Sequence, residues 1–321
     1  MKKYISTLLL VLFNSLFLFS QNVTLNKALK SLAFINGQEK LINSIKNDIN
    51  PTEYNQFIYE YNAFFGDIKT NSLNYLKIKL PKDSLDNVLY KLEVMLRNIN
   101  TGNVEPNTVI KTIRTRIENL NGIPAELKQS LLFFKFYNNP GGAINSGFYE
   151  KFMFKNPKST GKNFSIKIPL FLENRTEKTD LVLSKQILNY YSNLDDYNFT
   201  VGASYINGDY KKLDKKELES ISTSPSKMKN LIPKNSKSLT NKVITGQNYI
   251  GILAEFDLVK EYLGKTMNTK ISSFYVFEQG QLFVFNFSYG EELNNSSHNL
   301  SKFKNKYDNL TLSLLNNLQF Y

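Results

Sequence analysis

The chain lacks cysteine and tryptophan and contains a single histidine in 321 residues. The absence of cysteine excludes disulfide bonds, thiolate catalysis, iron–sulfur clusters, cysteine-ligated zinc and lipoprotein acylation. One histidine excludes every site that needs two imidazoles. Acidic residues are also fewer than basic ones, 28 against 40, which gives a formal net charge of +12. The composition therefore favours a protein that acts through its surface over an enzyme, and it indicates no metal or other cofactor.

Apolar residues, in contrast, are plentiful. Hydrophobic residues make up 41% of the chain and aromatic residues 13%, including 24 Phe and 19 Tyr. This is enough apolar material for a sizeable core, so the composition excludes wholesale disorder. The length allows one large domain or two ordinary ones.

The first twenty residues have the layout of a secretory signal peptide. Lys2 and Lys3 supply a positive start, a largely apolar run follows from residue 4 to 19, and Ser20 precedes the polar Gln21. A membrane anchor is the alternative, but a spanning helix needs about 20 predominantly apolar residues and this run is shorter and interrupted by polar ones. We expect export, with residues 1–20 removed, and no membrane-spanning helix in the remaining chain.

Apolar residues recur at helical spacing between about residues 25 and 137, as in Leu85, Val88 and Leu92. Pro51 interrupts this pattern, and Asp83 is placed to cap the helix that carries Leu85. Short connections between amphipathic segments favour a small bundle. We therefore predict a helical region over residues 21–139.

The spacing changes after Pro140, where alternation with a period of two replaces the helical period. Residues 164–168, 199–205 and 250–258 alternate, and two aromatic runs flank residues 278–281 as a hairpin would. The last segment, residues 300–318, is helical again. The predicted class is α+β, with a helical region followed over residues 140–321 by an antiparallel sheet flanked by helices.

The order of elements in this second part resembles the PsbP-like superfamily, which includes the extrinsic photosystem II subunit, the Ran-binding Mog proteins and the DcrB-like envelope proteins. The similarity extends from about residue 161 to 321. The matching pieces are an opening strand at 163–169, a short strand at 199–205, a charged helix at 214–221, a turn at 246–251, a hairpin at 277–287 and a final helix ending near 318. The resemblance implies an α/β/α sandwich and a binding or accessory role.

Lysines without nearby acids form the main candidate site. The segment from residue 220 to 254 contains no acidic residue, and such a positive field attracts anionic lipid headgroups or polyanions. A solvated lysine-rich loop is the alternative interpretation. The candidate anion-facing or membrane-facing residues are Lys227, Lys229, Lys234, Lys237 and Lys242.

Ordinary structural roles account for the other polar and aromatic groups. His298 lies in a polar loop next to serines, where helix capping explains the composition without catalysis. Asp195 and Asp196 are typical of a turn. Glu255 and Asp257 are typical of the solvent face of a strand. The aromatic pairs, such as Tyr190 and Tyr191, could line a groove but fit a sheet core better.

We therefore expect an exported, non-catalytic binding or accessory protein of the bacterial cell envelope, periplasmic by default, whose partner is an envelope protein or an anionic surface. A hydrolase that uses carboxylates and hydroxyls alone, and a peripheral binder of anionic membrane, are the two alternatives. Nucleic acid is not an expected partner, because we expect the protein to be exported. Arginine, which is preferred for paired hydrogen bonds to nucleic acids, is also scarce.

Overall fold

The structure, a computed structural model, describes residues 23–98, 104–158, 161–176, 184–194, 197–262, 265–292 and 300–321. The chain divides into two compact units, and the boundary lies between Tyr137 and Asn138.

The described part of the first unit is helical. The helices that the apolar spacing predicted are confirmed. Residues 51–79 form one continuous helix. The helices are Val23–Ser44 (α1), Pro51–Lys79 (α2), Lys82–Arg97 (α3), Pro106–Asn119 (α4) and Ala125–Lys135 (α5), with a 3₁₀ turn at Lys46–Asp48.

Three helix starts show how local sequence fixes these boundaries. Asn50 caps α2 by accepting from the Thr52 amide, with Pro51 in the first helical turn. Glu105 caps α4 by accepting from the amides of Asn107 and Thr108. The predicted Asp83 cap is wrong: α3 begins after Pro81 without a side-chain cap, and Asp83 lies in the first turn, where its charge favours the positive end of the helix.

Aromatic rings fill the core of the helical unit. Tyr61 stacks on Phe65 with ring centroids 5.0 Å apart, and Phe34 lies 6.3 Å from the same ring. Phe133 and Phe134 meet edge to face at 4.8 Å. Each fully buried ring of this size contributes about 1.5–3 kcal/mol of hydrophobic stabilisation, so these contacts dominate the packing of α1, α2 and α5.

The second unit contains two antiparallel sheets. One is three-stranded in the order β1-β2-β10, and the other is seven-stranded in the order β3-β4-β5-β9-β8-β7-β6. The strands are Tyr149–Phe154 (β1), Phe164–Pro169 (β2), Glu173–Asn174 (β3), Ser184–Leu194 (β4), Tyr197–Asn207 (β5), Lys237–Gly246 (β6), Tyr249–Tyr262 (β7), Lys265–Glu278 (β8), Gln281–Glu292 (β9) and Gln319–Phe320 (β10). The helices are Gly142–Asn145 (α6), Lys215–Ser222 (α7), Pro225–Met228 (α8) and Leu300–Asn316 (α9).

The larger sheet is covered on both faces. On one face, α7 and α8 bring Leu218 and Met228 against Ile252 and Phe256 of β7. On the other face, Phe285 of β9 lies near Phe164 of the small sheet and Phe320 of β10, while α9 brings Tyr307 onto Tyr289. Helices therefore flank the sheet, as the sequence predicts.

The predicted α+β class is confirmed. The alternating segments form β2, β5 and β7, and the hairpin of β8 and β9 turns at Gly280, whose φ of +75° suits glycine. The alternative interpretation of residues 220–254 as a lysine-rich loop is wrong in part, since β6 occupies residues 237–246.

Candidate functional site

The candidate lysines lie around one edge of the seven-stranded sheet. Strand β6 ends the sheet and pairs with β7 on one side only, from Lys237 opposite Asp257 to Gly246 opposite Tyr249. A bulge interrupts this pairing between Lys237 and Thr240, and Ser238 within it has a φ of +53°. Within the described strands the other side of β6 has no partner, so its backbone groups face outward.

All five candidate lysines are exposed, and we call this set the lysine edge: Lys227, Lys229, Lys234, Lys237 and Lys242. Lys227 lies on α8, where its ammonium donates to Ser220 Oγ at 3.2 Å. Lys229 follows α8 directly, Lys234 lies in the loop before β6, and Lys237 and Lys242 lie on the strand itself.

The lysine edge draws on both faces of the sheet. α8 belongs to one face, because its Met228 packs with Ile252 and Phe256 of β7. Lys242 lies opposite Leu253 of β7. Leu253 directly follows Ile252 in the strand, so Leu253 and Lys242 lie on the other face of the sheet. The lysine edge therefore includes residues near each face of the sheet at its β6 end. Lysines on an edge strand also discourage pairing with another sheet, so this placement suits both an anion-binding surface and a guard against aggregation.

A second polar group lies on the sheet face that α9 covers. We call Glu255, Asp257 and Asp308 the acidic cluster. Asp257 of β7, Lys270 of β8 and Tyr289 of β9 form one row across three strands. In the next row, Ser272 Oγ donates to Glu255 Oε1 at 3.4 Å. Asp308 comes from α9, directly after the Tyr307 ring that stacks on Tyr289 at 4.3 Å.

Burial and like charges shift two of these groups. Tyr289 is 4% exposed, and its hydroxyl is sealed from solvent without a hydrogen-bond partner in the described residues. Burial raises the pKa of this phenol, and the charges of Asp308, Asp257 and Glu255 raise it further. Burial also raises the pKa of the Asp308 carboxyl; Lys270 lowers it, Glu255 raises it, and Lys304 and Lys242 lower it. The group is therefore a mixed one, with lysines close to the acids.

The sequence pointed to half of this arrangement. Alternation placed Glu255 and Asp257 on one face of a strand, which is confirmed, but the expectation of an open solvent face is wrong because both are only half-exposed. Asp308 and Tyr289 were not anticipated. Their only sequence signals are the helical position of Asp308 beside Tyr307 and the alternating position of Tyr289 on β9, and neither says which strand or helix lies opposite.

The remaining candidates either lie outside the described residues or belong to the core. His298, Asp195 and Asp196 lie outside the described residues. Tyr190 is buried within β4, and the phenylalanines of the β8–β9 hairpin that face α9 are buried too, which confirms their interpretation as core. Among the residues that the structure describes, no cluster of three or more His, Cys, Asp or Glu side chains is placed to hold a metal ion.

No protein family and no curated protein matches the chain. A solved structure, LpqN of Mycobacterium tuberculosis, described as involved in cell envelope biogenesis, is similar over 57% of this chain and 96% of its own, with 10% identity and a TM-score of 0.32. A protein from Bacteroides thetaiotaomicron VPI-5482 is similar over 53% and 48%, with 13% identity and a TM-score of 0.27.

Likeness at these TM-scores carries no argument about the fold or function of this chain. The resemblance to the PsbP-like superfamily is not confirmed by these comparisons and stays a prediction. Across the helices that the structure describes, we find none that combines the length and the apolar character needed to cross a bilayer.

Proposed function

We propose that the protein is an exported binding or accessory module of the bacterial cell envelope that contacts an anionic lipid surface through the lysine edge. One observation carries this proposal. Five exposed lysines lie on the edge strand β6, on α8 and in the segment between them. The signal-type start of the sequence supports export.

Electrostatics supports a surface rather than a pocket as the binding element. A lysine near an anionic membrane surface contributes about 1 kcal/mol, and the contribution falls off within a Debye length. The five lysines come from α8, the segment that follows it and strand β6, and all five are exposed. Glu255 and Asp257 on the neighbouring strand are half-buried, so they oppose this attraction less than exposed acids would.

The direct test is co-sedimentation with vesicles of phosphatidylglycerol and phosphatidylcholine. A variant with all five lysines of the lysine edge changed to Gln should bind at least about tenfold more weakly, and wild-type binding should weaken as salt rises. The matched control changes five exposed lysines elsewhere, Lys46, Lys77, Lys82, Lys111 and Lys155, and carries the same net charge.

Equal loss in both variants would assign the binding to net charge alone and reject the lysine edge. No vesicle binding by the wild type, combined with salt-sensitive binding to poly-glutamate, would move the partner from lipid to an acidic protein. Absence of both would reject the proposal.

A carboxylate-only hydrolase is the second candidate, and the acidic cluster is the observation that favours it. A carboxyl with a raised pKa beside a second carboxylate is the pairing that acid–base hydrolysis uses. If Asp308 is such an acid, chromogenic glycosides or esters should be turned over, and Asp308→Asn should remove that activity while Asp86→Asn, an exposed control in the helical unit, retains it.

A further inference from the structure

The helical unit buries a positive charge without a carboxylate beside it. Arg116 of α4 is 4% exposed. Its Nη1 donates to Gln38 Oε1 of α1 at 3.2 Å, and its guanidinium carbon lies 5.4 Å from the ring centroid of Phe34. Within the described residues, no Asp or Glu forms an ion pair with it. Burial of an uncompensated guanidinium is costly, since an ion taken out of water loses several kcal/mol of hydration.

The acidic residues that adjoin Gln38 and Tyr61 in the sequence are already engaged. Glu39 follows Gln38 on α1, but it pairs with Lys69, whose ammonium lies 2.6 Å away. Glu60 precedes Tyr61 on α2, but it pairs with Arg114 at 2.8 Å. Tyr61 contacts the buried region through a hydroxyl that donates to the Ile35 carbonyl oxygen at 3.3 Å, so it brings no negative charge.

Two donors in this region have no acceptor. Arg116 Nε is sealed from solvent and bonds to no described residue. No described residue accepts from Arg116 Nη2 either. Because Nη1 is used by Gln38, the unsatisfied side of the guanidinium is the edge formed by Nε and Nη2. In arginine this edge can donate two parallel hydrogen bonds to a carboxylate or phosphate.

We propose that Arg116 and Gln38 form an oxyanion-binding site within the helical unit, which takes a small phosphate or carboxylate group on the Nε–Nη2 edge. Burial lowers the pKa of the Arg116 guanidinium, but arginine stays protonated at neutral pH and presents a full positive charge. The bound anion supplies the compensation that Glu39 and Glu60 cannot give. The site lies in the first unit and is independent of the lysine edge.

The test is thermal unfolding of the exported chain in inorganic phosphate, at pH 7 and at an ionic strength kept constant with sodium chloride. The wild type should show a saturable rise in Tm of about 3–8 °C. Arg116→Met should lose this rise and should be at least as stable as the wild type in chloride alone, because a buried unpaired charge is gone. Arg116→Lys keeps the charge but not the two-donor edge, and its response should fall.

Arg114→Met is the matched control, since it removes a guanidinium from the same helix that already has Glu60 as partner. Phosphate also stabilises proteins in general by exclusion from their surface, so an equal rise in all variants would overturn the proposal. Gln38→Met gives a second variant if Arg116→Met does not fold. Isothermal titration calorimetry of the wild type with phosphate is the final measurement. The absence of a saturable heat of binding would overturn the proposed site. Titration with acetate separates a preference for phosphate from one for carboxylate.

Discussion

At the scale of single residues, two buried tyrosines differ in what their hydroxyls meet. Tyr275 of β8 is 5% exposed, and its hydroxyl donates to the Leu231 carbonyl oxygen at 2.7 Å. Tyr289 of β9 is buried to the same degree on the opposite face, yet its hydroxyl has no partner among the described residues. Burial of a hydroxyl without a hydrogen bond costs free energy, whereas a satisfied hydroxyl contributes a little.

Removal of each hydroxyl should therefore have opposite effects. Tyr275→Phe should lower the free energy of unfolding by about 0.5–1.5 kcal/mol, because a hydrogen bond is lost. Tyr289→Phe should leave it unchanged or raise it by about 1 kcal/mol, because an unsatisfied group is removed and the ring still stacks on Tyr307. Urea denaturation of both variants measures this. A loss in Tyr289→Phe as large as in Tyr275→Phe would mean that the Tyr289 hydroxyl has a partner.

Asp308 should make stability depend on pH. Its folded-state pKa is raised above the ordinary value of 3.8, so the folded state binds the proton more tightly than the unfolded state does. This group's contribution is therefore most favourable below about pH 4 and is lost as the pH rises through the folded pKa. Asp308→Asn should gain stability relative to the wild type as the pH rises from 4 to 7. Urea midpoints across that range test this, and a constant difference would contradict it.

The sequence could give only part of each site, for a physical reason. Alternation along β7 places Glu255 and Asp257 on one face because period two is a local property of a strand. The meeting of these acids with Asp308 depends on which helix covers the sheet, and this is set by packing of distant segments. The same holds for Arg116 and Gln38, which are 78 residues apart.

At the scale of elements, strands whose apolar residues alternate with polar ones are predictable from the sequence, and mostly exposed strands are not. β2 is almost continuously buried and its apolar residues alternate with polar ones, so it stood out. β1 and β6 have largely exposed or half-exposed side chains, and β6 carries lysine where a strand usually carries apolar residues. Such edge strands are held by backbone pairing with a neighbour, which composition does not reveal.

Two glycines within strands give an element-scale prediction. A Cβ at Gly251 of β7 would lie 2.3 Å from the Tyr275 carbonyl oxygen and 2.8 Å from the Phe274 ring, whereas a Cβ at Gly202 of β5 would meet nothing closer than 3.9 Å. Gly251→Ala should force strands β7 and β8 apart and lower the free energy of unfolding by about 1–3 kcal/mol. Gly202→Ala should change it by no more than about 0.5 kcal/mol. Thermal unfolding of the two variants checks this, and equal losses would contradict it.

At the scale of the whole molecule, the two units differ in how far their contacts reach along the chain. The helices of the first unit form within local sequence, which is why their spacing was readable. In the second unit, β5 pairs with β9 and β10 pairs with β2, so both sheets join segments that are far apart. Helical periodicity can be recognised within about a dozen residues of sequence. The order of strands in a sheet depends on contacts between distant segments, so local sequence does not predict it.

The second unit should fold without the first. Its sheets pair internally, and the reciprocal backbone hydrogen bonds between Asn163 and Tyr321 tie the end of the chain to β2. We expect residues 138–321 alone to show a cooperative urea transition and a strand-rich circular dichroism spectrum. The control, residues 138–317, lacks β10 and with it Phe320, which is 1% exposed and lies 5.4 Å from the Phe283 ring. Loss of that ring, together with Leu318, which is also 1% exposed, should lower the free energy of unfolding by at least about 3–5 kcal/mol. A non-cooperative transition in residues 138–321, when the full chain unfolds cooperatively, would show that the boundary at Asn138 does not separate independent folding units.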